Sequence, residues 1–159
     1  DRLMYSKASY LVWIDADACF NYTSHLTLED FISQYPEKNV IIQDDGLWYS
    51  DPVNCGFFII KNNADSLRFI RDCLNSQEQI CLDHYHKHAW EQKCVSHFVL
   101  EDQKKPLLQQ QCQIVDYSKN LQRYEWIPEN KQALVIHLAG KSSDDRVRIL
   151  GKIKNKALT

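Results

Sequence analysis

Two aspartates flank one alanine directly behind an apolar run: Ala8 to Ile14 reads ASYLVWI, and Asp15-Ala16-Asp17 follows at once. Carboxylates at that spacing on a strand end can both reach one cation, and Ala16 leaves room for whatever the cation holds. Oxygen ligands suit a hard divalent ion, Mn²⁺ or Mg²⁺, which commonly shares its coordination with substrate phosphates. Ligands of open α/β sheets collect outside the carboxyl ends of strands, where this pair falls. D-x-D by itself also occurs in solvated turns. The apolar strand running straight into it makes the pair a candidate site.

A second group closes another strand-like run. Ala133 to His137 reads ALVIH and continues as Leu138-Ala139-Gly140-Lys141. His137 can complete the coordination of the same ion, Gly140 lets backbone approach a phosphate, and Lys141 can neutralise a departing diphosphate. Asn54-Cys55-Gly56 opens an apolar strand, and the Asn54 amide offers donors and acceptors to sugar hydroxyls. Trp90-Glu91-Gln92 sets a carboxylate and an amide beside an aromatic ring, a combination that suits a sugar. Each has a plainer reading: a structural histidine, a turn before a strand, an amphipathic helix start. His84-x-His86-x-His88 alternates like a metal site, but Asp83, Tyr85 and Lys87 interleave and no cysteine or carboxylate set completes a zinc centre. A polar loop near the substrate mouth fits it better.

The elements that must hold these groups read as strands alternating with helices. Strands are predicted over Ala8–Ile14, which reads as buried, then Asn39–Gln43, Asn54–Lys61, Gln113–Asp116 and Ala133–His137. A short helix follows Thr27, which can cap it with Asp30 three residues on. Leu67, Ile70, Arg71 and Leu74 have helical spacing, as do Trp90, Cys94, Val95 and Phe98. Asp44-Asp45-Gly46 marks a turn. Such alternation predicts an α/β sandwich around a mixed sheet, and 159 residues predict one domain over 1–159.

The net charge of −2 and the lack of a long basic run argue against nucleic acid. The basic stretch from Arg146 to Lys156 reads as a solvated tail or last helix. No apolar run reaches the ~20 residues of a membrane helix, so membrane attachment would need a segment outside this sequence. None of Cys19, Cys55, Cys73, Cys81, Cys94 and Cys112 forms a C-x-x-C pair, which argues against a structural zinc site; their even number permits disulfides, but most lie in apolar runs, and buried free thiols are the plainer reading. One sequon, Asn21-Tyr22-Thr23, sits just past the aspartates, where a glycan would crowd a substrate.

Taken together, YLVWIDADACF, NCGFFIIKN, WEQ and VIHLAGK, in that order from Tyr10 to Lys141, resemble the motifs of GT-A glycosyltransferases. The likeness is greatest to glycosyltransferase family 34, the galactosyl-, mannosyl- and xylosyltransferases of the yeast and plant Golgi. Family 8, with the glycogenin-like enzymes, is similar in outline. The resemblance implies a Rossmann-like GT-A sandwich without its N-terminal strand–helix units, so that 1–159 forms the C-terminal two-thirds of a catalytic domain. It implies a hexosyl- or pentosyltransferase that moves a sugar with retention from a UDP- or GDP-linked donor to a glycan hydroxyl. By the same resemblance Asp15, Asp17 and His137 hold Mn²⁺ (or Mg²⁺) against the diphosphate, with Ala16, Gly140 and Lys141 alongside. Asn54 and Gly56 line the sugar and acceptor pocket, and Glu91 and Gln92 stand beside the anomeric carbon as the catalytic pair. Trp48, Tyr49 and Trp90 are candidate walls against water. The compartment implied is the Golgi or another secretory lumen, or the cytoplasm for a bacterial or viral source.

This sequence departs from the families in carrying Glu91 where they have Asp, and in lacking Cys or Lys-Pro-Trp after the late glycine. Two other readings compete. One is a sugar-binding module without turnover. The other is a haloacid-dehalogenase-type phosphatase with Asp15 as nucleophile, although Cys19 stands where those enzymes favour Thr or Val.

Overall fold

The computed structural model describes residues 7–46, 51–84, 87, 90–123 and 132–157. Its central sheet has the order β1 (Tyr10–Ile14), β4 (Asn54–Lys61), β3 (Val40–Gln43), β5 (Cys112–Val115). The β1–β4 and β4–β3 pairs are antiparallel and β3–β5 is parallel, so the sheet is mixed as expected. A second sheet places β7 (Val135–His137) between β2 (Ala18–Phe20) and β6 (Gln122–Arg123).

Strand alternation sorts the core into two faces. Ile41, Phe57 and Ile59 turn to one side, where they meet Phe31 of α1 (Leu28–Gln34), Val135 of the second sheet, and Leu121 and Leu134 just ahead of its strands β6 and β7. Val40, Ile42 and Phe58 turn to the other, against Val99 of α4 (Trp90–Gln103) and Phe69 of α2 (Ala64–Leu74), and Cys55 joins them because the β3–β4 register shifts between Ile42 and Gln43. A third cluster sets Ile149 and Ile153 of α5 (Ser143–Ala157) on Ile136 and Leu138. Buried glutamines stitch the sheets together: Gln43 Nε2 donates to the Gln122 carbonyl at 2.9 Å, and the Gln122 N–H donates back to Gln43 Oε1 at 2.8 Å.

Local signals account for the helix starts. The Asp30 N–H donates to Thr27 Oγ1 at 3.2 Å while the Thr27 N–H donates to the Asp30 carboxylate at 2.7 Å, a reciprocal capping box. Asn63 caps α2 through Oδ1, which accepts the Ser66 N–H at 2.9 Å.

Three findings correct or refine the sequence reading. First, β1 is not a buried strand. Among the described residues it pairs only with β4, and it exposes Val12, Trp13 and Ile14. An apolar run alone does not say how many neighbours a strand has. Second, the cysteines are not all free thiols: Cys81 and Cys94 form a disulfide that joins α3 (Gln79–His84) to α4, with Cα atoms 4.6 Å apart. Cys19, Cys55, Cys73 and Cys112 are free. Burial pushes the Cys73 thiol up to about 12 and holds Cys55 and Cys112 well above the usual thiol range, so these are inert packing groups at neutral pH. Third, Asn21 of the sequon is buried. Its Nδ2 donates to the Ala133 carbonyl at 3.0 Å and its Oδ1 accepts from the Thr23 hydroxyl at 2.8 Å, so the nitrogen a glycan would need is engaged in the fold. No helix among the described residues is long and apolar enough to cross a membrane.

Candidate metal centre

The aspartates occupy the tight connection between the two sheets. The Asp15 N–H donates to the Gly56 carbonyl at 2.9 Å, which ties it to β4. The Asp17 carbonyl accepts the Leu138 N–H at 2.9 Å, and the neighbouring Ala18 pairs in register with His137. Backbone hydrogen bonds thus bring two strand ends, far apart in sequence, to one point.

At that point Asp15, Asp17 and His137 each offer a ligand atom, all within 4.8 Å of one another. His137 Nε2 lies 3.3 Å from Asp17 Oδ1 and 3.8 Å from Asp15 Oδ2. The His137 side chain is 6% exposed, while the Asp15 and Asp17 side chains are 31% and 19% exposed, so the triad has a closed back and an open front. Each group is also held by its other heteroatom. The Trp13 indole N–H donates to Asp15 Oδ1 at 2.8 Å. Arg146 Nη2 pairs with Asp17 Oδ2 at 3.0 Å. His137 Nδ1 faces Asn54 Oδ1 at 3.2 Å. Two carboxylates and an imidazole converging on one open point suit Mn²⁺ better than the all-oxygen preference of Mg²⁺. These are the three residues the sequence singled out as ligands.

Gly56 serves this geometry directly. A Cβ there would lie 2.1 Å from His137 Cε1, so any side chain would displace the ring. Both Asn54 and Gly56 are buried beneath His137. Asn54 Nδ2 donates to Asp45 Oδ1 at 2.8 Å, and the Gly56 N–H donates to Asn54 Oδ1 at 2.9 Å.

Glu91 and Gln92 form the first turn of α4 and lean on the same strand. Gln92 Oε1 accepts the Cys55 N–H at 3.1 Å, between Asn54 and Gly56. Glu91 is exposed. Burial is the first cause of the raised Cys55 thiol, and the negative charges of Glu91 and then Asp15 add to it. Asp15 is tied to this stretch of β4 through its N–H on Gly56, and Glu91 precedes the Gln92 side chain that clamps it. Ala16 is exposed at the crest of the aspartate turn. Gly140 takes a left-handed φ of 73° in an exposed turn, where glycine carries no steric penalty. Lys141 follows at the start of α5, where its charge contributes to lowering the Asp145 carboxyl, after Arg148 and Ser142. The side chain of Trp90 and all of Trp48, Tyr49, His86 and His88 lie outside the described residues.

Arg146 is the site residue the sequence reading missed. A signal was available. The Asp145 N–H donates to Ser142 Oγ at 3.2 Å and the Ser142 hydroxyl donates to the Asp145 carboxylate at 2.9 Å, a helix start immediately behind the late motif. A helix beginning there returns its first turn to the strand end, and Arg146 with it.

No protein-family profile and no curated protein matches the chain. Among solved structures it is similar to a glycosyltransferase involved in the glycosylation of the major capsid of PBCV-1. The TM-score is 0.68 at 21% identity, over 91% of this chain and 67% of that one. At that identity the likeness concerns the fold: the chain is a GT-A-like α/β sandwich built on a mixed central sheet.

Proposed function

We propose that the chain is a metal-dependent glycosyltransferase that moves a sugar from a nucleoside-diphosphate donor, UDP- or GDP-linked, to a hydroxyl of a glycan. The observation that carries this reading is the convergence of Asp15, Asp17 and His137 within 4.8 Å, at strand ends of a fold shared with a solved glycosyltransferase. Bound between them, Mn²⁺ would supply positive charge opposite the diphosphate as negative charge builds there.

The protein's own groups do the rest. Asp15, Asp17 and His137 arrive already oriented, so little rearrangement is needed. Arg146, half in solvent beside Asp17, supplies a guanidinium fork matched to phosphate oxygens, ahead of Lys141, whose charge falls on Asp145. Transfer with retention breaks the bond from the anomeric carbon to the phosphate oxygen while the acceptor oxygen bonds on the same face. The acceptor proton passes to the departing diphosphate. Glu91, at the edge of the site, faces the positive charge that develops on the sugar, and Gln92 anchors that turn of α4 to β4. Asn54 and Gly56 serve the site through His137. A secretory lumen is the proposed compartment, because a disulfide between Cys81 and Cys94 persists in oxidising surroundings.

The test is Mn²⁺-dependent release of nucleoside diphosphate from a panel of UDP- and GDP-sugars, with and without glycan acceptors. The chain and an Asp15→Ala, Asp17→Ala double variant are compared. Release that needs the metal and disappears in the variant is expected. A folded chain that binds sugar or Mn²⁺ but turns over none of the donors would instead make it a binding module.

A further inference from the structure

A histidine can hold a metal through Nε2 only if that nitrogen keeps its lone pair, and which nitrogen carries the proton is set by what faces the other one. Here Asn54 Oδ1 faces Nδ1 at 3.2 Å. An amide could present either its oxygen or its nitrogen, but two neighbours decide. The Gly56 backbone N–H, which can only donate, points at the same Asn54 atom at 2.9 Å, so that atom is the oxygen. The other end of the amide lies 2.8 Å from the buried Asp45 carboxylate, an acceptor, so that end is the NH₂. An oxygen over Nδ1 requires a proton on Nδ1.

We infer that Asn54, oriented by Asp45 and the Gly56 N–H, is a positioning residue that fixes His137 in the Nδ1–H tautomer and so presents Nε2 to a divalent cation. This deepens the metal-dependent reading above and rests on it for its purpose, but not for its test. The arrangement differs from a sugar contact by Asn54, because both ends of the amide are committed inside the protein. It also explains why three buried polar groups share one spot: each satisfies the next, and the chain ends on the ligand nitrogen.

The experiment uses the full chain labelled with ¹⁵N-histidine and loaded with Zn²⁺, a diamagnetic divalent cation that displaces the proton Nε2 would otherwise share with the Asp17 carboxylate 3.3 Å away, with His137 assigned by its absence in His137→Gln. Long-range proton–nitrogen correlation is expected to show a proton on Nδ1 and the cation, not a proton, on Nε2. Mn²⁺ affinity is then read from the electron paramagnetic resonance of free Mn²⁺. Asn54→Leu should lose the single tautomer and bind Mn²⁺ about 10–100-fold more weakly. The exchanged pair, Asp45→Asn with Asn54→Asp, keeps an acceptor over Nδ1 and a hydrogen bond behind it, and should stay within a few-fold of the parent. A cation on Nδ1, or a proton on Nε2, in the loaded parent would overturn the inference, as would a folded Asn54→Leu with unchanged tautomer and affinity. If Asn54→Leu does not fold, the parent's tautomer and the exchanged pair decide. The predicted tautomer in a chain that turns over no donor would retire the transferase reading and leave this one standing.

Discussion

The two sides of the site are built differently. On the metal side Asp15, Asp17 and His137 sit on strand ends joined by backbone hydrogen bonds, over a buried glycine and a buried amide. On the α4 side Glu91 and Gln92 are held by side chains: Gln92 on the Cys55 N–H, Lys93 on the Asp51 carboxylate at 2.6 Å, and the disulfide from Cys94 to Cys81. Backbone pairing in a sheet fixes position with no rotamer freedom left to lose, whereas side-chain clamps yield one at a time. The metal side should therefore fail as a unit, and the α4 side by degrees.

The strongest way to break this contrast is Gly56→Ala. One methyl group would meet the buried His137 ring at 2.1 Å, so the ring or β4 must shift. A ligand displaced by about an ångström costs on the order of 100-fold in rate, and overpacking costs roughly 1–3 kcal/mol in stability. Turnover and Mn²⁺ affinity should fall together, with a lower melting temperature. An alanine variant of normal activity would show that the metal side adapts after all.

Arg146→Ala sharpens the contrast inside the metal side. Arg146 neutralises Asp17 from α5, and its Nε donates to the Leu138 carbonyl just past β7 at 3.4 Å. Losing it should slow turnover roughly tenfold, less than the 10²–10³-fold typical of a buried donor aimed at a developing anion, because this side chain is 36% exposed. Removing a cation 3.0 Å from a ligand carboxylate should at the same time tighten Mn²⁺ binding, a sign opposite to that of any ligand variant. Slower turnover with tighter metal binding, measured on one preparation, separates a phosphate-facing role from a structural one.

The clustering of the candidate ligands was legible because residue type and strand periodicity carried it: ASYLVWI runs straight into Asp15, ALVIH ends on His137, and strand ends are where α/β sheets put chemistry. Arg146 was legible only in part: Ser142 with Asp145 three residues on marks a helix start behind the late motif, but one basic residue in the basic stretch from Arg146 to Lys156 looks the same whether it faces solvent or a carboxylate. Asn54 announced hydrogen bonding but not its partners, since the Asp45 and His137 that engage it come from distant segments. Strands β2 and β6, three and two residues long, are too short for a period to show, and exist because β7 lies between them. The exposure of β1 was hidden for the same reason, as neighbours belong to topology and not to composition.

The smallest expected effect comes from the α4 side. The Cys81–Cys94 bridge closes a loop with a sequence separation of 13, and a loop of that size contributes roughly 3 kcal/mol, mainly by restricting the unfolded chain. Replacing both cysteines with serine should lower the melting temperature clearly. Turnover should change only a few-fold, because the Gln92 contact with Cys55 and the Lys93 contact with Asp51 still seat the first turn of α4. Mn²⁺ affinity should not change, because the described contacts of Asp15, Asp17 and His137 come from Trp13, Asn54, Gly56, Leu138 and Arg146. Combining the serine pair with Gln92→Ala removes a second clamp, and a loss in turnover larger than the product of the separate losses is expected, as for clamps that share one load. If the serine pair alone abolished metal binding, the two sides would be one mechanical unit, and the disulfide would have to be counted among the supports of His137.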